Sequence, residues 1–376
     1  SILSGTLCLL IEGFATAFLI DARTYPARGI TEPEDSRVLR GSRDGFVETL
    51  IFNTALIRRR MRDPGLTMEL VQIGKKSKTD VVLCYLAPLA DPKTLQEIRT
   101  RVAKIDVNTL TLSQESLAEC IAKTQWYNPF PNIRYTERPD VASANIAEGK
   151  IIVLVDNSPA VMIIPTTFFD FVQDINDFYF PPLIGTYLRL VRTVVFFITL
   201  FLTPVWLLLM QNPDWLPQSL IFLRIEDAYH VPLLVQLLIF EFVIDGLKLA
   251  SLNTPSALSN SFSVVGALIL GEFAVRSGWF VPDTVLYMAF VAIANFAQPS
   301  FELGYAFKLS RIVLLCGTAA FQAWGLLGAT ILIFVVLGTT RTVSGKSYLY
   351  PLIPWNGRAL KNLLIRRRIS RENTTT

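Results

Sequence analysis

Leu190-Val-Arg192-Thr-Val-Val-Phe-Phe-Ile-Thr-Leu200-Phe-Leu-Thr-Pro204-Val-Trp-Leu-Leu-Leu-Met210 is the stretch on which the fold turns. A helix needs about 20 predominantly apolar residues to cross a bilayer, and this run supplies them. Pro204 lies inside it, where a missing N–H kinks a helix. Arg189 and Arg192 stand at its front end, and positive charge marks the cytoplasmic side of a span. The reading places everything before the run in the cytoplasm.

Working outward, composition changes sharply at about residue 183. The chain of 376 residues is 51% hydrophobic and 18% charged, against about 25% charged in an average soluble protein. The charged residues concentrate before the break, so three regions are expected. Residues 1–180 form a cytoplasmic α/β domain, 183–340 an all-α transmembrane domain, and 341–376 a basic cytoplasmic tail. The tail carries Arg358, Lys361, Arg366, Arg367, Arg368 and Arg371 against Glu372, which again reads as cytoplasm. The chain opens at Ser1 inside an apolar stretch, which reads as a fragment whose N-terminal domain is cut short.

The other apolar segments are less regular. Val231–Ala250 carries Glu241, Asp245 and Lys248 on one helical face. Two readings stand: an interfacial amphipathic helix, which is favoured, or a span whose polar face points into the protein. Ser263–Val275 is short, with small residues at Gly266, Ala267 and Gly271 and an acid at Glu272. Small residues allow close helix packing in membranes. Glu272 faces either a pore or the water interface beside Arg276. Thr284–Ala297 is a further short run, and Ile312–Gly338 exceeds one span, with Gln322 and Trp324 marking a break. With both ends inside, the number of crossings is even. Four spans plus one interfacial or re-entrant element are expected, or six if the last segment crosses twice.

In the first region, Gly5–Ile20 reads as a β-hairpin turning at Glu12-Gly13, and Gly149–Ile164 repeats the form around Asp156-Asn157. Two such hairpins imply either two related subdomains or one mixed sheet. A helix is expected over Asp44–Arg60, with Asp44 at its N-cap and Arg58, Arg59 and Arg60 at its C-terminal end, where cations suit the helix dipole. Strands at Leu70–Ile73 and Thr79–Leu86 and helices at Pro92–Lys104 and Ser113–Lys123 complete an α/β pattern.

Several chemistries are excluded. One histidine, His230, and four cysteines without CxxC spacing leave no metal site, no cofactor site and no His-based triad. A net charge of +4 gives no nucleic-acid footprint. Gly74-Lys-Lys-Ser-Lys-Thr79 lacks the spacing of a phosphate loop. Glu137, Arg138 and Asp140 form a dense charged motif that reads as a structural ion-pair turn or a contact surface, not as acid–base catalysts. The chain is expected not to be an enzyme.

Leu39-Arg-Gly-Ser-Arg43-Asp-Gly-Phe-Val-Glu48-Thr-Leu-Ile-Phe-Asn53-Thr-Ala-Leu-Ile-Arg-Arg-Arg60 resembles a signature of the spore germinant receptor A subunits, the GerA family. So do Tyr135-Thr-Glu137-Arg138-Pro139-Asp140 with Glu148-Gly149, and Val264-Val-Gly266-Ala267-Leu-Ile-Leu-Gly271. Ser77–Asp80, Tyr127-Asn-Pro-Phe-Pro131, Pro165-Thr-Thr-Phe-Phe169 and Tyr350-Pro-Leu-Ile-Pro354-Trp-Asn-Gly357 resemble its stage V sporulation branch. The resemblance implies a protein of the bacterial spore inner membrane, with soluble domain and C-terminus facing the core. It implies a ring-like homo-oligomer that conducts ions in germination beside other membrane germination subunits. On that picture Ser263, Val264, Ala267, Leu268 and Glu272 line a pore for monovalent cations, while Gly266 and Gly271 pack helices and lipid surrounds the ring. The alternative is a non-conducting scaffold or sensor that binds partners through Arg43, Asp44, Arg58, Arg59, Arg60, Glu137, Arg138 and Asp140.

Overall fold

The computed structural model describes residues 7–13, 16–20, 28–33, 37–38, 40–122, 125–225, 229–253 and 274–366. Strands β3 (Leu66–Ile73), β4 (Thr79–Leu86), β5 (Arg134–Thr136), β6 (Ile151–Val155) and β7 (Val161–Ile164) make one sheet in the order β3-β4-β6-β7-β5. Every pairing in it is antiparallel, so the sheet is not mixed in direction. Hairpin β1 (Leu7–Leu9) and β2 (Phe18–Ile20) forms a separate two-stranded sheet.

Side chains alternate across a strand, and β4 and β6 use both faces. Val81, Leu83, Tyr85, Val153 and Val155 meet helices α2 (Pro92–Ala103) and α3 (Gln114–Ile121). Val82, Cys84, Leu86, Ile152 and Leu154 meet α1 (Leu50–Arg60) and α4 (Pro139–Ala147). The result is a helix–sheet–helix sandwich. Asp91 caps α2 by accepting from Lys93 N at 3.2 Å, with Pro92 behind it. Gly149 enters β6 at φ +85, where an added Cβ would stand 2.7 Å from the Leu89 carbonyl oxygen.

The helix expected from Asp44 begins only at Leu50. Residues before it are tied elsewhere. Gly45 N donates to Thr31 O, Phe46 N donates to Glu137 O, and Asn53 Oδ1 accepts from Val47 N. Asp44 bonds Arg59 and Arg60 at the opposite end of the helix. The α1 N-terminus takes its anion from Asp156, whose Oδ1 accepts from Leu50 N at 3.2 Å.

Cys84 lies wholly inside this sandwich, and burial pushes its thiol up to about 12. Thiolate, the reactive form, is therefore scarce near neutral pH. Alkylation of the folded protein at pH about 8, near the ordinary thiol value, is expected to label exposed Cys120 and leave Cys84 unmodified. Mass spectrometry of the digested protein reads the result, and rapid labelling of Cys84 would contradict the packing.

Short helices α5 (Phe168–Val172) and α6 (Asn176–Tyr179) lead into α7 (Pro182–Gln211). Next come α8 (Leu233–Asn253), α9 (Pro282–Phe296), α10 (Phe301–Thr339) and α11 (Gly357–Leu364). Helices α7 and α10 are long and apolar enough to cross a membrane. Helix α10 is two arms, because Phe321 and Gln322 leave helical geometry and Gln322 takes φ +52. The arms pack antiparallel, with Leu314 in one cluster with Ala329, Ile333 and Leu337. At their crossing a Cβ on Gly325 would overlap the Gly317 carbonyl oxygen. The long last segment thus doubles back.

Both arms start or end against the sandwich. Phe301 and Glu302 lie beside Arg134 and Tyr135, and Asn128 Nδ2 donates to Thr340 Oγ1 at 2.8 Å. At the far end, Gln211 Nε2 donates to Ala319 O at 3.4 Å. Helices α8 and α9 both run toward the sandwich. Gln236 Oε1 accepts from Thr284 Oγ1 near their starts, and Lys248 lies over the Phe296 ring near their ends. Residues 253 and 274 therefore sit at opposite ends of the helical half.

Candidate functional site: a charged core among apolar helices

Few charges are tolerated inside apolar helices, because an ion leaves water only where it finds a partner. Here they converge at one depth. Arg311 Nε and Nη2 fork onto the Glu241 carboxylate at 2.5 and 2.8 Å, and Arg311 Nη1 donates to Thr199 O at 2.6 Å. The two side chains are 3% and 4% exposed. Lys308 Nζ pairs with Asp245, donates to Glu241 O at 2.8 Å and stands 3.9 Å from Glu241 Oε2. Three helices are joined by these bonds: α7 through a backbone carbonyl, α8 through its acids, α10 through its cations. At about 1.5 Å per residue, Arg311 lies about 15 Å along α10 from Phe301, half the thickness of a bilayer core. Lys248 continues the row, with its ammonium 4.8 Å from the Phe296 ring centre and 5.4 Å from that of Tyr305.

The favoured interfacial reading of Val231–Ala250 is corrected by this geometry. The polar face of α8 turns inward because Lys308 and Arg311 supply the counter-charges, while Phe242 and Leu249 face outward. The cations themselves were not singled out from sequence. They fall just before the apolar run at Ile312, and their i,i+3 spacing on one helical face was the available signal.

A second set of charges fastens the sandwich to the helices. Asp177, wholly buried, takes Arg192 Nη1 at 2.9 Å and Arg189 Nε at 3.3 Å. Arg189 Nη1 also donates to Asn362 O and Leu363 O at 3.0 and 2.9 Å, which holds α11 against the start of α7. The two arginines are thus internal braces as well as charges flanking a span. Lys150 Nζ meets Asp170 Oδ1 at 2.6 Å, and Asp170 Oδ2 accepts from Thr167 N. Burial would raise the Asp170 carboxyl, but Lys150 and the Thr167 bonds hold it below the usual carboxylate range. Beside it, burial pushes the Glu148 carboxyl up.

The charged residues of the sandwich divide by exposure. Arg138 is fully buried, bound to Asp140 at 3.1 and 2.6 Å and to Ser42 O at 3.0 Å, and Tyr179 Oη donates to Asp140. It locks residue 42 to α4 from inside the sandwich. Glu137 accepts from Phe46 N through its backbone carbonyl. Arg58 Nη2 donates to Leu66 O at 2.8 Å, and Arg60 Nη2 to Ser42 Oγ at 2.7 Å. Arg43, Arg58 and Arg59 are exposed, Arg59 paired with Asp44. Ser263, Val264, Gly266, Ala267, Leu268, Gly271 and Glu272 lie outside the described residues. Among the described residues, no cluster of His, Cys, Asp and Glu could hold a metal ion.

Comparison with known proteins bears on the whole chain. The family model for the Bacillus/Clostridium GerA spore germination protein matches residues 1–376. The chain is 41% identical to stage V sporulation protein AF of Bacillus subtilis (strain 168), over 97% of this chain and 74% of that protein. It is 31% identical to spore germination protein KA of the same organism, over 96% and 66% respectively. It is 28% identical to spore germination protein A1 of that organism, over 93% and 73%. A crystal structure of the N-terminal domain of the A subunit of the Bacillus megaterium spore germinant receptor GerK3 is 39% identical. It covers 33% of this chain and 97% of its own, with a TM-score of 0.27.

Proposed function

From the premise that the chain belongs to the GerA family of spore germination proteins, we propose that it is the ion-conducting subunit of a homo-oligomeric ring in the spore inner membrane. The observation that carries the reading is the charged core. Within one copy Glu241 and Asp245 are matched by Arg311 and Lys308, so these charges bind helices together and are not left to line a lumen. Around them the helices expose large apolar side chains, among them Phe197, Phe242, Phe290, Trp324 and Phe334. Such a surface suits lipid and neighbouring copies. A conduit then belongs on the axis of a ring of copies.

The ordering of the described helices supports six crossings in place of four, with the sandwich and the C-terminus on the core side. The stretch 263–275 supplies the pore face of the proposal, Val264 and Leu268 its apolar constriction, and Glu272 an acidic ring that favours monovalent cations. The exposed Arg43 and Arg59 face other germination subunits. The proposal gives the chain no catalytic step. Single-channel recording tests the acidic ring: Glu272→Gln is expected to lower cation-over-anion selectivity while channels still open. Unchanged selectivity would remove Glu272 from the pore.

A further inference from the structure

The near end of the helical half carries cations that the ring proposal does not use. Arg366 follows α11, and its backbone N donates to Thr186 Oγ1 at 3.2 Å. Its Nη2 donates to Phe178 O at 2.8 Å, and its guanidinium lies 5.7 Å from the Phe178 ring centre. Its Nε and Nη1 are buried and have no hydrogen-bond partner among the described residues. These two donors point to different sides of the guanidinium, so each calls for its own acceptor oxygen, and the positive charge of the group suits carboxylate or phosphate.

The cleft that Arg366 borders measures about 420 Å³ and is lined by Lys150, Gln173, Tyr350 and Asn362 among others. Its acids are Glu148 and Asp170. Asp170 is satisfied by Lys150, and burial drives Glu148 toward its neutral form. Arg189 is satisfied by Asp177. Arg366 is therefore the cation of the cleft with no carboxylate of its own among the described residues.

The surroundings say which anion it meets. The turn of α7 that holds Arg366 also exposes Leu183 and Tyr187, at 82% and 64%. Helix α11 has apolar Leu360, Leu363 and Leu364 on one side and Arg358 and Lys361 exposed on the other. Trp355, just before it, is 70% exposed. A short amphipathic helix with cations on its polar side and flanking Trp and Tyr fits the headgroup level of a bilayer. Basic pockets at that level on the cytoplasmic side bind anionic headgroups.

We infer that this cleft is a binding site for the phosphate headgroup of an anionic phospholipid, held by the Arg366 guanidinium. The inference rests on the membrane reading above and is independent of whether the ring conducts. It is tested with the full chain in vesicles of phosphatidylcholine, with or without phosphatidylglycerol, followed by detergent extraction and quantification of retained lipid. The wild-type protein is expected to retain phosphatidylglycerol several-fold above its share of the bilayer. Arg366→Gln is expected to lose that enrichment while still sedimenting with the vesicles and keeping its helical signal, and Arg59→Gln to keep the enrichment. No enrichment in the wild type, or equal enrichment in Arg366→Gln, overturns the site. Loss of enrichment when inorganic phosphate is added reassigns the site to a free phosphate and overturns the lipid. Failure to enter either kind of vesicle contradicts the membrane reading and the lipid site with it.

Discussion

Replacing Arg311 by leucine is expected to cost about 3–5 kcal/mol, the range for removing one partner of a buried ion pair. The substitution leaves the Glu241 carboxylate nearly buried, with Lys308 3.9 Å away, and removes the bond from Arg311 to Thr199 O. Little of the loss is the pair's own attraction. Most of it is the desolvation of a carboxylate that has lost its compensation. The double variant Glu241→Leu with Arg311→Leu is therefore expected to recover most of the stability, since it removes both charges and fills the space with apolar atoms. Thermal unfolding of the purified protein in detergent reads both variants. A single variant within about 1 kcal/mol of wild type, the size of an ordinary substitution, would mean that water or another group already serves Glu241.

Gly325→Leu is expected to force the two arms of α10 apart, at about 3 kcal/mol, the upper part of the usual range for overpacking. The atom in the way is the Gly317 carbonyl oxygen, which belongs to a helix backbone and does not rotate aside. The residues on either side of the crossing, Leu314 with Ala329 and Ile333, lose their contact with it. Gly328, three residues further on, has open space around its Cβ direction, so Gly328→Leu is expected to be tolerated. Cross-linking of Leu314→Cys with Ile333→Cys in a background free of the native cysteines reports the arms directly. Efficient cross-linking in wild type and Gly328→Leu, and little in Gly325→Leu, is the expected pattern. Equal cross-linking in all three would contradict the hairpin.

The parts of this fold that could be read in advance are those set by neighbours in sequence. Strand β4 and the β6–β7 hairpin show themselves as short β-prone runs closed by turn residues, and Asn157 takes the positive φ of that turn. Helix α2 is announced by Asp91-Pro92. The family motif at residues 39–60 is equally local, and the match over residues 1–376 agrees with it.

What could not be read depends on partners far along the chain. Whether α8 lies on a surface or inside a bundle was decided by Lys308 and Arg311, some distance beyond it, and apolar periodicity is silent about which charges will meet. Asp44 has the chemistry of an N-cap, but Thr31, Glu137 and Asn53 hold its neighbours extended and Arg59 and Arg60 claim its carboxylate. The break in α10 was legible at Gln322, but the close crossing of the two arms was not, because Gly317 and Gly325 are brought together only when the chain doubles back. Arg138 and Asp140 read as an ion-pair turn and they do pair, but the complete burial of Arg138 follows only from the fold that closes around it.

Potassium release from vesicles tests the central proposal most directly. The protein is reconstituted into potassium-loaded liposomes, and efflux is followed with a potassium-selective dye. The account predicts release above that of empty vesicles, and its suppression by a bulky substitution at Val264. No release from folded, membrane-inserted oligomers, even with the membrane partner subunits present, would contradict it and leave the non-conducting scaffold.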